Sequence, residues 1–299
     1  MRQNLKKRNF SRDNLLYLKE VEKELKDKKI RSASAEAETL LRHFGKISRL
    51  DFYVGEKTLP VRARRAVQKV LKKRIKGAPL AYLLKTAHFL GHSFYVNKET
   101  LIPRPETEVL ADEALKILDH FHPRGGSPPK ILDIGTGTGC LAVSLTIQRS
   151  DSKMTALDVS PKTLSVARKN LEFHGLTKKI RLIESDLFAF FGEKEKGTWD
   201  LVVSNPPYVP TARIRGLSKE VRAEPRLALD GGPDGLTVVR AILEKAPYFL
   251  KVQGWLLIEI GEGHSQALAK EILKSGVFRK FHFVKDTRGV ERVLVVQKK

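Results

Sequence analysis

The stretch ILDIGTGTGCLAVSL, residues 131–145, decides the fold of this chain. It opens with aliphatic residues typical of a buried strand, passes through three glycines at alternate positions, and ends in a segment of helical character. Such glycines let the backbone turn tightly and approach a ligand at the carboxyl end of a sheet, beside a helix N-terminus. The stretch therefore predicts a strand, a ligand-binding loop and a helix in succession.

Strands and helices alternate from Glu106 onward. Segments such as 161–175 and 235–250 read as helices. Five segments read as strands: KILDIG (130–135), KMTALDVS (153–160), KIRLIESD (179–186), WDLVVSN (199–205) and GWLLIEIG (254–261). This alternation implies a parallel sheet covered on both faces, and two final strands without a helix between them, 281–289 and 291–297, predict an antiparallel edge. The predicted fold class is α/β, Rossmann-like, with a seven-stranded and mostly parallel sheet.

The N-terminal part follows a different pattern. Residues 1–77 read as short amphipathic helices, with a stop signal at Gly77 and Pro79. The segment HFLGHSFYV (88–96) alternates around its central glycine and predicts a β-hairpin. We therefore predict three parts: a helical domain at 1–77, a β-hairpin linker at 78–104 and the α/β domain at 105–299.

The charge of the chain is strongly positive and unevenly distributed. Of the formal net charge of +22, a large share lies in residues 1–80, which contain 23 Lys and Arg against 9 Asp and Glu. Such a field raises encounter rates with acidic partners, including RNA, ribosomes and acidic proteins. A solubilising surface would have the same composition, so charge alone leaves both interpretations open.

Composition argues against membrane and secreted classes. No stretch approaches the roughly 18 consecutive apolar residues of a membrane helix, and the basic N-terminus lacks the apolar core of a signal peptide. With Cys140 as its single cysteine the chain forms no internal disulfide, which fits a reducing compartment. The eight histidines show no metal-type spacing. We therefore predict a cytoplasmic protein without a metal site.

Three acidic residues stand at the ends of successive predicted strands. Asp133, two residues before the first glycine, suits a ligand with an ammonium group better than one with a pyrophosphate. Asp158 can accept hydrogen bonds from both hydroxyls of a ribose. Asp186 can bind the exocyclic amine of an adenine, and the apolar pair Leu187–Phe188 can cover its face. Together they describe a pocket for S-adenosylmethionine, with these candidate cofactor-binding residues: Asp133, Gly135, Thr136, Gly137, Thr138, Gly139, Asp158, Asp186, Leu187 and Asn205.

The fourth predicted strand ends abruptly at Asn205-Pro206-Pro207-Tyr208. Two prolines end a strand at once and stiffen the loop. An asparagine oxygen and the carbonyl of Pro206 can each accept one N–H of a planar –NH2 group, which orients its nitrogen toward a methyl donor. Tyr208 can pack on the flat acceptor. This motif alone leaves adenine in nucleic acid and glutamine in protein equally open as acceptors.

From about residue 79 to its end the chain resembles the release-factor glutamine methyltransferases, the HemK-like family of class I S-adenosylmethionine-dependent methyltransferases. IPRPETE at 102–108 is the most specific segment, because DNA adenine methyltransferases are not expected to carry it there. The other matching stretches are PLAYLL, HFLGHSFYV, LDIGTGTGCLAVSL, ALDVSPKTLSVARKN, SNPPYVP, EPRLALDGGPDGL, GWLLIEIG and DTRGVERVLVV. Residues 1–77 match only in size and helical character.

The resemblance implies methyl transfer to the side-chain nitrogen of the glutamine in the Gly-Gly-Gln loop of peptide-chain release factors, with S-adenosylhomocysteine as product. It implies that Asn205, Pro206 and Tyr208 are catalytic and that the helical domain grips the release factor. The residues implied to bind substrate are Asn205, Pro206, Pro207, Tyr208, Arg104 and Glu106, with the loop 224–234 as a further wall of the entrance. Two residues depart from the family pattern: Lys85, where a glycine is expected, and Leu187, where tryptophan is frequent.

Two other classes of function remain open. An N6-adenine methyltransferase acting on RNA or DNA would explain Asn205–Tyr208 and the positive charge, but not the 102–108 segment. A non-catalytic RNA- or ribosome-binding protein would explain the charge, but the intact 205–208 motif argues against it. The identity of the acceptor separates these alternatives.

Overall fold

The computed structural model describes residues 2–54, 58–120 and 127–299. The chain divides into two compact units, Met1–Leu84 and Lys85–Lys299. The first unit extends seven residues beyond the predicted boundary at residue 77, because the short helix Leu80–Leu84 packs with the preceding helices. The hairpin predicted as a linker belongs to the second unit. Among the described residues, no helix is long and apolar enough to cross a membrane.

The first unit is a small helical bundle. Its apolar stripes meet in one core, in which Val21, Leu25 and Leu40 have no exposed surface. A buried ion pair lies beside this core, where the Nε of Arg74 donates to Glu36 at 2.6 Å. Its helices are α1 (Arg2–Asp27), α2 (Ala33–Gly45), α3 (Arg49–Val54), α4 (Val61–Arg74) and α5 (Leu80–Leu84).

The second unit begins with a hairpin and continues as an α/β sandwich. Its strands are β1 (Thr86–Phe89), β2 (His92–Tyr95), β3 (Lys130–Ile134), β4 (Lys153–Asp158), β5 (Ile180–Glu184), β6 (Trp199–Ser204), β7 (Leu250–Glu259), β8 (Phe278–Lys285) and β9 (Glu291–Lys298). Its helices are α6 (Pro105–His120), α7 (Cys140–Gln148), α8 (Pro161–Phe173), α9 (Lys219–Arg222), α10 (Thr237–Phe249) and α11 (Ser265–Ser275). Three short 3-10 helices lie at Glu193–Glu195, Thr211–Gly216 and Arg226–Ala228.

The large sheet confirms the predicted fold class. Its strand order is β5-β4-β3-β6-β7-β9-β8, and β3 to β7 pair in parallel. The final strand, β9, inserts antiparallel between β7 and the edge strand β8. One boundary differs from the prediction, since β7 begins at Leu250 instead of residue 254. The extra residues continue the sheet through a register shift opposite Trp199.

Side-chain alternation along the strands separates the core into two layers. Ile131 points into the layer with α6, α7 and α8, while Leu132 and Ile134 point into the layer with α10 and α11. Strands buried on both faces explain the nearly continuous apolar runs in the sequence. The sheet thereby holds the carboxyl ends of β3, β4 and β6 at one common edge, where the polar residues collect.

Asn170 fastens the hairpin to the sheet unit. This fully buried side chain accepts a hydrogen bond from the backbone N–H of Tyr95 at 2.7 Å and donates to the Tyr95 carbonyl at 3.0 Å. It also donates to the carbonyl of Thr138 in the glycine loop at 2.8 Å. One amide on α8 therefore positions both the hairpin and the loop.

The two departures from the family pattern share a backbone conformation. Lys85 has φ 56° and Leu187 has φ 48°, so both lie in the left-handed region. Only glycine adopts that region without a steric cost, which accounts for the glycine expected at position 85.

Candidate active site

A cavity of about 420 Å³ opens at the carboxyl ends of β3, β4 and β6. Its walls come from the glycine loop, the segment 99–107, the ends of β4 and β6, and the segment 225–228. All of these lie within the second unit. Eleven of the residues predicted to bind cofactor or substrate line it: Asp133, Gly135, Thr136, Gly137, Thr138, Asp158, Asp186, Leu187, Asn205, Pro206 and Pro207.

The glycine loop holds the carboxylate of Asp158 with backbone groups. Gly137 has φ 58°, a conformation that suits glycine, and its N–H donates to Oδ2 of Asp158 at 3.1 Å. The N–H of Ser160 donates to the other oxygen at 3.0 Å. Burial nevertheless raises the pKa of Asp158. Each oxygen keeps a lone pair for further donors, as binding of two ribose hydroxyls requires.

Asp133 lies deeper, at the base of the glycine loop. Its side chain is buried and accepts a hydrogen bond from Oγ1 of Thr136 at 2.7 Å. Burial raises the pKa of this carboxyl to about 7, and the nearby charge of Asp158 adds to the shift. A buried carboxylate without a cationic partner is costly, so this group favours a ligand that brings a positive charge.

Gly139 differs from the other residues predicted to bind cofactor. A side chain there would meet Ala167 and Leu171 of α8 at 3.5 Å, and the residue is not part of the cavity wall. It precedes the first residue of α7 with φ 79°. The structure therefore gives Gly139 a turn beside α8, and its role in binding cofactor stays a prediction.

The apolar cover predicted after β5 consists of one side chain instead of two. Leu187 and Asp186 line the cavity, but Phe188 is buried on the other side, where it stacks on Phe249 with ring centroids 4.8 Å apart. The left-handed backbone at Leu187 reverses the chain between these side chains. Leu187 alone therefore offers an apolar surface to a ligand from this pair.

Asn205 is held by a residue of the 102–108 segment. Its Nδ2 donates to Oγ1 of Thr107 at 2.9 Å, and both residues line the cavity. With the NH2 group engaged, the amide oxygen is available to accept an N–H from a ligand. Thr107, at the start of α6, was not among the site residues predicted from the sequence, although it directly follows Glu106, which was.

Tyr208 points into the protein. Its hydroxyl donates to Oε1 of Glu259 at 3.1 Å, and burial raises the pKa of Tyr208, so it stays protonated. It is not part of the cavity wall, and its stacking on an acceptor stays a prediction. The arrangement shows instead that Tyr208 anchors the 205–208 loop to the end of β7.

Glu259 is the second residue that the site prediction missed. It has no exposed surface, and burial raises its pKa to about 7 even though the hydroxyls of Thr107 and Tyr208 and the charge of Arg292 lower it. The signal in the sequence was an acid inside the apolar strand GWLLIEIG. The Glu259 carboxyl thus interacts both with the Thr107 hydroxyl, which holds Asn205, and with the Tyr208 hydroxyl at the other end of the 205–208 motif.

Arg104 and Glu106 lie outside the cavity wall and take part in ion pairs. Arg104 pairs with Glu224, whose other oxygen accepts the N–H of Ile102 at 3.0 Å. Glu106 pairs with Arg288 at 2.7 Å. The Arg104–Glu224 pair joins the two segments predicted to wall the entrance, so these residues shape the cavity through its walls. A direct contact of either residue with substrate stays a prediction.

The loop LALDGGPDG (227–235) supports the 205–208 motif from behind. Two backbone hydrogen bonds join the two segments. The Val209 N–H donates to the Leu229 carbonyl at 2.9 Å, and the Gly231 N–H donates to the Val209 carbonyl at 2.9 Å. A side chain at position 231 would lie 2.8 Å from the Pro207 oxygen. Only glycine fits there without displacing the motif, which is the physical reason for Gly231.

Cys140 lines the cavity but is not a reactive group there. Burial raises the pKa of the Cys140 thiol to about 12, so it is no nucleophile near neutral pH. Within the ranges that the structure describes, no three His, Cys, Asp or Glu side chains are grouped to hold a metal ion.

Comparison with known proteins agrees with this geometry. The family profile of the methyltransferase small domain matches residues 111–221, and that of the PrmC N-terminal domain matches residues 17–84. Among solved structures, the hMettl16 catalytic domain in complex with a MAT2A 3′UTR hairpin superposes with a TM-score of 0.56 at 18% identity, over 88% of each chain. That likeness shows the fold alone.

Curated relatives give a more specific result. The release factor glutamine methyltransferase of Geobacter sulfurreducens is 37% identical over 90% of this chain and 91% of its own length. That of Chlorobaculum tepidum is 39% identical over 78% of this chain and 80% of its own length. The chain therefore belongs to the release factor glutamine methyltransferase family.

Proposed function

We propose that this protein transfers a methyl group from S-adenosylmethionine to the side-chain amide nitrogen of the glutamine in the Gly-Gly-Gln motif of a peptide-chain release factor, and so modulates translation termination. The observation that carries the proposal is that candidate cofactor-binding residues and candidate acceptor-binding residues line one cavity. Asp133 and Asp158, on β3 and β4, and Asn205 with Pro206, directly after β6, line the same cavity, and we call the first pair its cofactor end and the second its acceptor end. Family membership favours glutamine over adenine as the acceptor.

The residues present fit the cofactor. Asp133 is a buried carboxyl suited to the ammonium of the methionine part, and Asp158 is a fixed carboxylate suited to the ribose hydroxyls. Asp186 and Leu187 line the same cavity, which supports the proposal that they bind and cover the adenine. S-adenosylmethionine supplies an electrophilic methyl group on a sulfonium sulfur. Thr136 keeps the Asp133 side chain oriented through its hydroxyl, and the loop glycines keep the backbone close to the ligand.

The acceptor end works by positioning. The Asn205 oxygen and the Pro206 carbonyl accept the two N–H groups of the glutamine amide, so its nitrogen faces the methyl donor. Thr107 fixes the Asn205 amide, and Glu259 fixes Tyr208 at the other end of the motif. Pro207 stiffens the chain between them. Arg104, Glu106 and the 224–234 loop maintain the entrance through which the Gly-Gly-Gln loop enters.

The first unit is proposed to recognise the release factor away from the reacting glutamine. Its match to the PrmC N-terminal domain over residues 17–84 supports a shared role with that domain. We also propose a cytoplasmic location, where release factors work. The buried and unpaired Cys140 is compatible with a reducing compartment.

The test supplies radiolabelled S-adenosylmethionine and four acceptors in parallel: a release factor, its Gly-Gly-Gln→Gly-Gly-Ala variant, RNA and DNA. We expect label on the wild-type factor only, located to that glutamine by mass spectrometry. Asn205→Ala enzyme is the matched control, because it should bind cofactor and transfer nothing. Label on nucleic acid and none on protein would establish the N6-adenine alternative and contradict the proposal.

A further inference from the structure

Helix α4 carries a strongly basic surface in the first unit. An open groove of about 580 Å³ runs along it, lined by nine residues of which six are cationic and none is acidic. We call this surface the basic groove. Its lining residues are Tyr17, Val61, Arg64, Arg65, Gln68, Lys69, Lys72, Lys73 and Lys76.

Most of these cations have no acidic partner in the part of the chain that the structure describes. Arg64 is the exception, since it pairs with Asp13 at 2.7 Å. Arg65, Lys69, Lys72, Lys73 and Lys76 are exposed and take part in no ion pair among the described residues. Unneutralised cations on one face of a helix repel each other, so this surface is costly to maintain without an anionic ligand.

The spacing of the cations is regular. Arg65, Lys69 and Lys72 recur at intervals of four and three residues, which places them in one stripe along α4. Lys76 follows four residues later, in the turn after the helix ends at Arg74. At a rise of about 1.5 Å per residue, successive charges are about 5 Å apart along the axis. A nucleic-acid strand presents its phosphates as a similarly regular row of negative charges. The stripe therefore matches a linear polyanion better than a single acidic group.

The composition of the groove favours nucleic acid over protein. Protein interfaces are depleted in lysine and enriched in exposed aromatic and apolar anchors, whereas nucleic-acid interfaces are strongly basic. Of the two apolar lining residues, Tyr17 is buried, and the guanidinium of Arg64 covers its ring at 4.8 Å. Only Val61 is an exposed apolar side chain in the lining. The groove offers charge without a hydrophobic anchor.

We propose that the basic groove binds the phosphodiester backbone of RNA, independently of sequence. The choice of RNA over DNA rests on the proposed function, because a release factor meets its methyltransferase among the RNA-rich components of translation. Binding of this kind is driven by counterion release and is sensitive to salt. Four phosphate contacts to a single strand predict a slope of about −3 for log K against log salt concentration.

The test measures fluorescence anisotropy of a fluorescein-labelled single-stranded RNA of 20 nucleotides titrated with the full-length protein at several salt concentrations. The groove variant is R65Q/K69Q/K72Q/K76Q. The matched control, K245Q/K270Q/K274Q/R279Q, removes the same charge from exposed positions of the second unit. We expect the groove variant to lose at least about tenfold in affinity at low salt and most of the slope, whereas the control should lose less than about threefold. Unchanged thermal midpoints would show that both variants remain folded.

Three results would overturn the proposal. Equal losses in the two variants would assign RNA binding to net charge instead of the groove. Binding of a matched DNA strand about tenfold tighter than the RNA would contradict the choice of RNA. An unchanged RNA affinity in the groove variant, together with a raised KM for release factor, would identify the groove as a docking site for an acidic protein. Methylation of the release factor by wild-type enzyme is scored separately, so failure of the proposed function is distinguishable from failure of this inference.

Discussion

The two ends of the active-site cavity are built in different ways. At the cofactor end, Asp133 is held by Thr136, three residues away, and Asp158 is held by backbone groups of the glycine loop and its own turn. At the acceptor end, Asn205 is held by Thr107, 98 residues away in sequence, and Tyr208 is held by Glu259, 51 residues away. The groups that hold Asp133 and Asp158 lie 2 to 21 residues away in sequence, whereas those that hold Asn205 and Tyr208 lie 98 and 51 residues away.

This difference has a functional consequence. Asp158 is held by backbone N–H groups, and Asp133 by a hydroxyl of the glycine loop, so neither depends on side chains of the acceptor end. We therefore expect cofactor binding to survive substitutions at the acceptor end. The orientation of Asn205 and Tyr208 depends on single hydroxyl and carboxyl groups, so we expect methyl transfer to be sensitive to those groups. The following predictions test whether the two ends are separable.

The largest effect is expected from Asn205→Ala. The change removes one of the two oxygens that hold the acceptor amide, and such preorganised groups contribute about 10²–10³ in rate. We expect kcat to fall by about that factor while the Kd for S-adenosylmethionine changes by less than about threefold, measured by single-turnover assay and calorimetry. A normal rate in this variant would refute the acceptor role of Asn205.

The next largest effect is expected from Asp158→Ala, at the cofactor end. Loss of charged hydrogen bonds to the ribose hydroxyls costs about 2–3 kcal/mol, so the Kd for cofactor should rise by about 30- to 160-fold. The rate at saturating cofactor should be nearly unchanged. An unaltered Kd would refute the assignment of Asp158 to the ribose.

A smaller effect is expected from Thr107→Val, which removes the hydroxyl that holds Asn205 but keeps the buried volume. Because small displacements of positioning groups reduce rates strongly, we expect kcat to fall by about 10- to 30-fold. The Kd for cofactor should not change. Thr107→Ser, which restores a hydroxyl, is the matched control and should recover most of the activity. Equal loss in both variants would indicate a packing effect and no role for the hydroxyl.

Cofactor affinity should depend on pH through Asp133. Its carboxyl keeps a proton up to about pH 7, and an ammonium ligand requires the ionised form. We expect the Kd to fall by about tenfold between pH 5.5 and 7 and then to level off. The folded state of the free enzyme also binds this proton more tightly than the unfolded state, so the contribution of Asp133 to the free energy of unfolding falls as pH rises from about 4 to 7.

Asp133→Asn is the control for this pH dependence. The variant should bind cofactor more weakly at pH 7, with an affinity that is flat over the same range, measured by calorimetry. A pH dependence that persists in the variant would assign it to another group, of which Asp158 is the nearest candidate.

The smallest effect is expected from Leu187→Trp at the adenine position. Leucine and tryptophan at position 187 have the same left-handed backbone to adopt, so the change adds an aromatic face without new backbone strain. Stacking of about 0.5–1 kcal/mol predicts a two- to fivefold lower Kd for cofactor and no change in the acceptor end. Leu187→Ala should shift the Kd in the opposite direction. A weaker affinity in the tryptophan variant would show that Leu187 does not cover the adenine.

Much of the fold and of the cofactor end followed from sequence, because both are encoded locally. The period of apolar residues identified the strands from β3 onward, and the spacing of glycines and acids placed Asp133, Gly137 and Asp158 at one cavity. The acceptor motif was identified, but its supports were not. No local pattern around Thr107 or Glu259 predicts a contact with a residue 50 to 100 positions away. Phe188 shows the same limit, since its neighbour Leu187 faces the cavity while Phe188 packs against α10.

The sequence by itself determined the class of fold, the cofactor loop and the chemistry of the 205–208 motif, because periodicity, glycine spacing and proline geometry are properties of short segments. The tertiary structure alone decided which side chains hold that motif, that Gly139 lies against α8, and that Lys76 and the cations of α4 line one groove. Long-range contacts depend on how the sheet and helices pack, and packing brings together residues that no local pattern connects.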